Sequence, residues 1–231
     1  LVLLFVHGTG YAFIINGFHE LVHDSVFKSR KLNRFFLRIF SFLGWHNHIG
    51  FWASHTEHHK YTLHPPADLE VVLPAKLTLR DFLSRGFIDP RRFYDTVKMT
   101  LRLSRNRLEG DWEKHLFETV VPQQRRYYVN WARFLLVGHA TIVIVSLAFG
   151  LWMIPVVVTL ASCYGGALQW LCNNTQHIGL KDDVDDFRLC TRTITLNPVF
   201  QFLYWHMNFH IEHHMYAAVP CYNLGKLHRV I

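Results

Sequence analysis

Three histidine clusters constrain this chain more than any other feature: His19 and His23 in HELVH, His55, His58 and His59 in HTEHH, and His210, His213 and His214 in HIEHH. On an α-helix, positions i, i+3 and i+4 share a face, so each cluster aims its imidazoles at one point. Neutral imidazole is a ligand for Fe, Zn, Cu or Ni. With 17 histidines in 231 residues, the string H-x-x-H-H should arise by chance about 0.1 times. It occurs twice. Unrelated surface clusters are a poor account of that pattern, and a metal site is the better one.

Half of the residues are hydrophobic, mean hydropathy is +0.09 and formal net charge is +7. A soluble domain has a similar apolar fraction, so the distribution has to decide. Between Arg133 and Lys181 there is no Lys, Arg, Asp or Glu, and Phe134–Leu171 is almost wholly apolar apart from a Gly150–Pro155 punctuation. About 20 helical residues cross a bilayer core of roughly 30 Å. Two spans are therefore expected near Phe134–Leu151 and Pro155–Cys172, as a helical hairpin. The uncharged opening, Leu1–Phe18, reads as a third span; it lacks the basic start and the small-residue cleavage site of a signal peptide. The chain opens without Met inside a hydrophobic run, so a further span is expected before it.

Parity then makes a prediction. If Leu1–Phe18 ends on one side, a hairpin that leaves and returns puts all three boxes on that side. Of 24 Lys and Arg, five lie in Lys28–Arg38, fourteen in Lys60–Arg133 and five from Lys181 onward. None falls on the far side, which under the positive-inside rule makes the histidine side cytoplasmic. Four cysteines, at 163, 172, 190 and 221, show no paired spacing and read as reduced.

Along the rest of the chain, Leu32–Trp52 reads as an interfacial or re-entrant element anchored by Arg34, Arg38, Trp45 and Trp52. His64-Pro65-Pro66 breaks the helix that carries HTEHH. Ala67–Arg133 reads as a charged cap with helical pieces such as Arg91–Arg107. Asn197-Pro198 starts a helix whose stripe Phe200, Leu203, Tyr204 and Met207 is expected to continue into His210, His213 and His214. The fold expected is a single all-α domain over 1–231, integral to the membrane, with a cytoplasmic histidine-rich cap holding two metals.

Eight box imidazoles exceed what one tetrahedral zinc takes, and they fit two metals with open positions. His177, in NNTQHIG at the end of the hairpin, is a ninth candidate ligand. Asn173, four residues before it, is a candidate for holding a metal-bound water. In this order around a hairpin, HELVH, HTEHH and HIEHH resemble the three boxes of membrane fatty acid desaturases and hydroxylases, over nearly the whole chain. Asn173-x-x-x-His177 resembles the extra Asn/His pair of acyl-CoA desaturases. The third box begins with His and not with the Gln of front-end desaturases, and the tail resembles bacterial-type members.

The resemblance implies a non-haem di-iron centre that uses O2 to take hydrogen from an unactivated C–H bond, most simply placing a double bond in an acyl chain. The chemistry agrees, because no side chain is a strong enough oxidant, and iron changes oxidation state where zinc does not. The partners expected are the membrane, a lipid or acyl thioester substrate and an external electron donor of the ferredoxin or cytochrome b5 type. No nucleic acid is expected among them. A hydroxylase or oxidative decarboxylase on the same boxes is the near alternative, and a zinc-binding membrane receptor or transporter the distant one.

Carboxylates that orient ligand imidazoles through their second ring nitrogen are sought at Glu20, Glu57 and Glu212, and at Asp24, Asp182, Asp183, Asp185 and Asp186. His7, His64, His115, His139 and His228 are isolated and read as ordinary polar residues; His46, His48 and His206 stand nearer the boxes. Arg91, Arg92, Lys98, Arg102, Arg105 and Arg107 form a basic run, suited equally to anionic lipid headgroups and to an acidic donor or the phosphates of coenzyme A.

Overall fold

A computed structural model describes residues 1–73 and 77–231 of the chain. The described residues form helices and loops, with isolated β-bridges and no strand. The first apolar stretch makes α1 (Val2–Ala12) and α2 (Ile14–Val22), joined at Phe13 with near-helical dihedrals. Together they give a 21-residue apolar helix over Val2–Val22, long enough to cross a bilayer. HELVH ends that helix, so the first pair of imidazoles hangs at one mouth of the apolar segment.

The expected single element Leu32–Trp52 is two helices. Ser29 caps α3 (Arg30–Leu43), accepting from the Leu32 N–H, and Asn47 caps α4 (His48–Tyr61), accepting from the Ile49 and Gly50 N–H groups. The corner between them holds Trp45 at φ +58°. Its indole N–H donates to the Thr159 carbonyl at 3.0 Å, and its ring stacks on His139 with centroids 3.9 Å apart. Those two anchors hold the turn against the helix-forming residues on either side, and α4 leaves the corner carrying HTEHH.

The charged segment contains α5 (Leu79–Gly86), α6 (Pro90–Ser104) and α7 (Gly110–Lys114), then a π-helical turn at His115–Val120 and a 3-10 turn at Pro122–Gln124. The basic run lies on α6 and the loop after it, close to its expected bounds. Next comes α8 (Arg125–Ala148), the second helix long and apolar enough to span. It begins earlier than the hydropathy break at Phe134 suggested, because Arg125–Arg133 extends the same helix toward its N-terminus.

The second limb of the hairpin is not the continuous helix expected over Pro155–Cys172. It consists of α9 (Met153–Val157), a 3-10 turn at Ala161–Cys163 and α10 (Ala167–Asn174). The break falls at Tyr164–Gly166, where Gly165 has φ +75°. Backbone groups freed there are taken by the segment before α6: Asp89 N–H donates to the Cys163 carbonyl at 2.7 Å, and Gly165 N–H to the Phe87 carbonyl at 2.8 Å. A broken helix is tolerated in an apolar setting when neighbouring protein pairs its backbone in this way.

The C-terminal part holds α11 (Phe187–Cys190), α12 (Pro198–Leu203), α13 (His210–Met215) and α14 (Cys221–Leu227). Asn197 does cap α12, accepting from the Phe200 N–H at 3.1 Å. The stripe from Phe200 does not continue into HIEHH, however. Trp205 and His206 take φ +54° and +56° and turn the chain. Ile194 N–H then donates to the Asn208 carbonyl at 2.9 Å, and Thr193 bridges to Phe209. HIEHH is thereby set on its own short helix, aimed independently of α12.

Ala53, Leu103, Leu116, Phe117, Tyr128, Val129 and Ala132 make a core among α4, α6, the π-helical turn and α8. It holds α4 from the side away from its histidines. On α2, Gly17 lies where a Cβ would stand 2.5 Å from the Trp205 ring and 2.6 Å from the Phe40 ring. Only a missing side chain allows α2 to approach this closely. Gly17→Val should therefore cost about 1–3 kcal/mol through overpacking, read as a lower midpoint of thermal unfolding in detergent. An unchanged midpoint would mean that the contact is loose.

Candidate metal centre

The helices converge so that all nine histidines proposed as ligands meet. His19, His23, His55, His59 and His213 place one nitrogen each within 4.8 Å of one another, and His58, His177 and His214 do the same. His210 joins the second group, its Nε2 3.0 Å from that of His177 and 3.1 Å from that of His214. The groups abut: the His59 ring lies 4.6 Å from that of His214 and 4.8 Å from that of His213, centroid to centroid. Box two faces both groups, because His55 and His59 share one arc of α4 and His58 the next.

The second ring nitrogens are tied from behind. His58 Nδ1–H donates to Asp68 Oδ2 at 2.7 Å, and His55 Nδ1–H to Glu70 Oε1 at 2.7 Å. His177 Nδ1–H donates to the Cys190 carbonyl at 2.9 Å. The Thr62 hydroxyl gives its proton to the His58 carbonyl at 2.8 Å, so it accepts from His214 Nδ1–H at 3.2 Å. His19 Nδ1 lies 3.3 Å from Glu20 Oε1, and His213 Nδ1 3.6 Å from the same oxygen.

These bonds fix tautomers, and the tautomers create a conflict. A neutral imidazole that donates through Nδ1 carries only a lone pair on Nε2. His177 and His214 therefore both point bare lone pairs at His210 Nε2, which has at most one proton to give. His55 and His59 meet Nε2 to Nε2 at 3.1 Å. Neither ring nitrogen of His213, nor Nε2 of His23, has a hydrogen-bond partner among the described residues. An unpaired polar group of this kind, held away from water, costs about 1–3 kcal/mol. A cation among the lone pairs relieves the facing Nε2 atoms and gives His23 and one nitrogen of His213 a partner, so the donor set fits bound metal.

Burial keeps the rings in the form a metal needs. Loss of solvent, then repulsion from neighbouring imidazoles, holds His55, His210, His213 and His214 well below the usual histidine range. The same causes push His59 down to about 2 and His177 to about 4. Burial pushes the Glu70 carboxyl up to about 7, against the opposing pull of His58 and the Ser54 hydroxyl. At neutral pH these six imidazoles are uncharged and would lose no proton on binding a metal.

The carboxylates that orient the ligands are only partly those expected. Glu20 meets His19 Nδ1 and lies near His213 without a hydrogen bond to it. Glu57 instead pairs with Lys60 at 2.7 Å, and Glu212 with Thr193 and His228, both at 2.5 Å. Asp24 holds Arg30 and Asp186 holds Arg188, while Asp183 and Asp185 lie 4.0 and 3.6 Å from the outlying His64. Asp68 and Glu70, which sequence reasoning passed over, do the work expected of them. Their one signal is the D-x-E just beyond the Pro-Pro that ends the box-two helix.

Asn173 lies in neither group; its Oδ1 accepts from Asn16 Nδ2 at 3.1 Å, and Asn16 is buried on α2 one turn before His19. His46 stacks on Phe18, His48 meets Trp131 edge to face, and His206 lines an apolar cavity, so all three stand outside the two groups.

A family model described as "Fatty acid desaturase" matches residues 1–231, the whole chain. No curated protein and no solved structure matches it. Asp68→Asn keeps the shape but removes the charged acceptor behind His58, and should weaken Fe(II) binding about 10–100-fold. Chelator competition on the purified protein measures this, and wild-type affinity in the variant would contradict the orienting role.

Proposed function

We propose, from the premise that this chain belongs to the fatty acid desaturase family, that it is a membrane enzyme placing a double bond in the acyl chain of a lipid or acyl thioester at the expense of O2. The observation that carries this reading is the convergence of nine imidazoles into two abutting groups with their lone pairs turned inward. His19, His23, His55, His59 and His213 would hold one iron, and His58, His177, His210 and His214 the other. When bound, the iron pair supplies the oxidising power toward an unreactive C–H bond that no side chain has.

The residues of the chain do the rest. Asp68, Glu70, Glu20, Thr62 and the Cys190 carbonyl hold the ligand rings in one tautomer and one orientation, so that each Nε2 lone pair is presented without reorganisation. All-neutral ligands would leave the charge of a bound metal pair uncompensated by the side chains that hold it. The burial of His58, His213 and their neighbours excludes water from the reacting bond.

The substrate reading has its own support. An apolar cavity of about 360 Å³ is walled by Phe13, Ile14, Phe40, Phe202, Trp205 and Cys221. The Cys221 thiol touches the Glu20 carboxylate, which in turn faces His19 and His213. A hydrocarbon chain in this cavity would be separated from the proposed ligands by the Cys221 and Glu20 side chains. Two apolar helices, Val2–Val22 and Pro122–Ala148, fit membrane association, and the basic flanks favour the cytoplasmic side for the histidines. Desaturation with full reduction of O2 to water leaves two electrons to be supplied, which an external donor of the ferredoxin or cytochrome b5 type would provide.

Lipid profiling of a host that expresses the chain tests this reading. New double bonds in acyl chains are expected, and His58→Ala or His213→Ala should abolish them while the protein still inserts in membranes. New hydroxyl groups or terminal alkenes in their place would replace desaturation with the alternative chemistries, and product from either variant would contradict its ligand role.

A further inference from the structure

The hydrogen bonds behind His55 do not stop at its carboxylate. The Ser54 hydroxyl donates to the other Glu70 oxygen at 2.6 Å and accepts the indole N–H of Trp112 at 3.1 Å. Trp112 is half-buried, and its ring stacks on that of exposed His115, with centroids 5.6 Å apart and planes 18° from parallel. A continuous run of side chains thus leads from the protein surface to a proposed ligand.

Among the described residues, the other supports go nowhere comparable. Asp68 is fully buried and spends its remaining bonds on the Leu63 and Glu70 N–H groups. Glu20 ends among His19, His213 and Cys221, while His177 and His214 end on a backbone carbonyl and on Thr62. Among the described residues, the His55 branch is the one whose hydrogen bonds end on an aromatic ring that stacks with an exposed side chain.

Trp112 is also held in register by its neighbours. Glu113, the next residue, receives Arg102 at 2.6 and 3.2 Å and the Tyr128 hydroxyl at 2.8 Å. The π-helical turn His115–Val120 follows at once, a rare geometry that recurs at functional sites. Trp112 packs on the core that supports α4, so the indole and box two are parts of one rigid block.

We propose that Trp112, Ser54 and Glu70 are the electron-entry route to the His55 side of the metal centre. This rests on the desaturase reading above. A one-electron donor protein gives up its electron at the Trp112–His115 surface, where the indole and the exposed imidazole stack. The electron tunnels through the indole and the three hydrogen bonds that join Trp112 to Ser54, Ser54 to Glu70 and Glu70 to His55, and a ferric ion held by His55 is reduced to ferrous. No bond of the chain is made or broken, and two such events supply one turnover.

Stopped-flow reduction of the iron-loaded ferric protein tests the route. Reduced plant-type ferredoxin, reduced cytochrome b5 and dithionite, a small reductant that needs no docking, serve as separate donors. Trp112→Phe keeps a ring but loses the N–H. It should slow reduction by the productive protein donor on the order of tenfold, the scale at which contacts behind a ligand act, with dithionite rate and iron content unchanged. Ser54→Ala should do the same, and Ser54→Thr, which keeps the hydroxyl, should restore the rate. Wild-type donor rates in both Trp112→Phe and Ser54→Ala would overturn the route. So would equal slowing with dithionite or loss of iron, either of which marks a merely structural role, and so would a wild-type centre that neither protein reduces. A wild-type chain that binds no iron sinks the enzyme reading itself, a result distinct from these.

Discussion

Everything in this molecule is organised around the need to hold neutral imidazoles together, dry, with their lone pairs facing one another. Left alone, that arrangement is unfavourable, since each nitrogen gives up water and gains no partner. It persists in part because the opposite side of four of the rings is tied to something rigid. His58 is fastened to Asp68, His55 to Glu70, His177 to a backbone carbonyl and His214 to Thr62. The repulsion is thus directed inward, at the place where a cation would relieve it.

The helices are arranged to serve that cluster. The apolar helix over Val2–Val22 carries box one at its end, and the Trp45 corner turns α4 so that box two meets it. The break at Trp205–His206 frees HIEHH from α12 and allows α13 to close the cluster. The interrupted second limb of the hairpin has the same character: a regular helix gives way where the Phe87–Asp89 segment can pair its backbone. An apolar cavity of about 360 Å³ shares the Cys221–Glu20 wall with the cluster, which joins the apolar part of the fold to the histidines.

The histidines that meet in the fold were legible in the amino-acid sequence because their spacing is local. Imidazoles at i, i+3 and i+4 announce themselves, and His177 stands at the end of the expected hairpin. The all-helical character and two long apolar helices were legible from hydropathy for the same reason. What depended on distant pairing was not legible. Asp68 and Glu70 reach their histidines only because the chain folds back after Pro65-Pro66, and nothing within a helical period of HTEHH marks them. Glu57 and Glu212 sit inside boxes yet face Lys60 and His228, because each follows a box histidine by two positions, about 200° round the helix, whereas Glu20 follows His19 by one. Helix breaks at Gly165 and at Trp205–His206 were invisible to a hydropathy count, since apolar residues flank both.

The central claim is that two irons sit among nine histidines. Metal analysis of the purified chain, joined to X-ray absorption at the iron edge, addresses it directly. The account predicts two irons per chain with a first shell dominated by imidazole nitrogen. A single zinc per chain, or iron bound mainly by carboxylate oxygen, would contradict it.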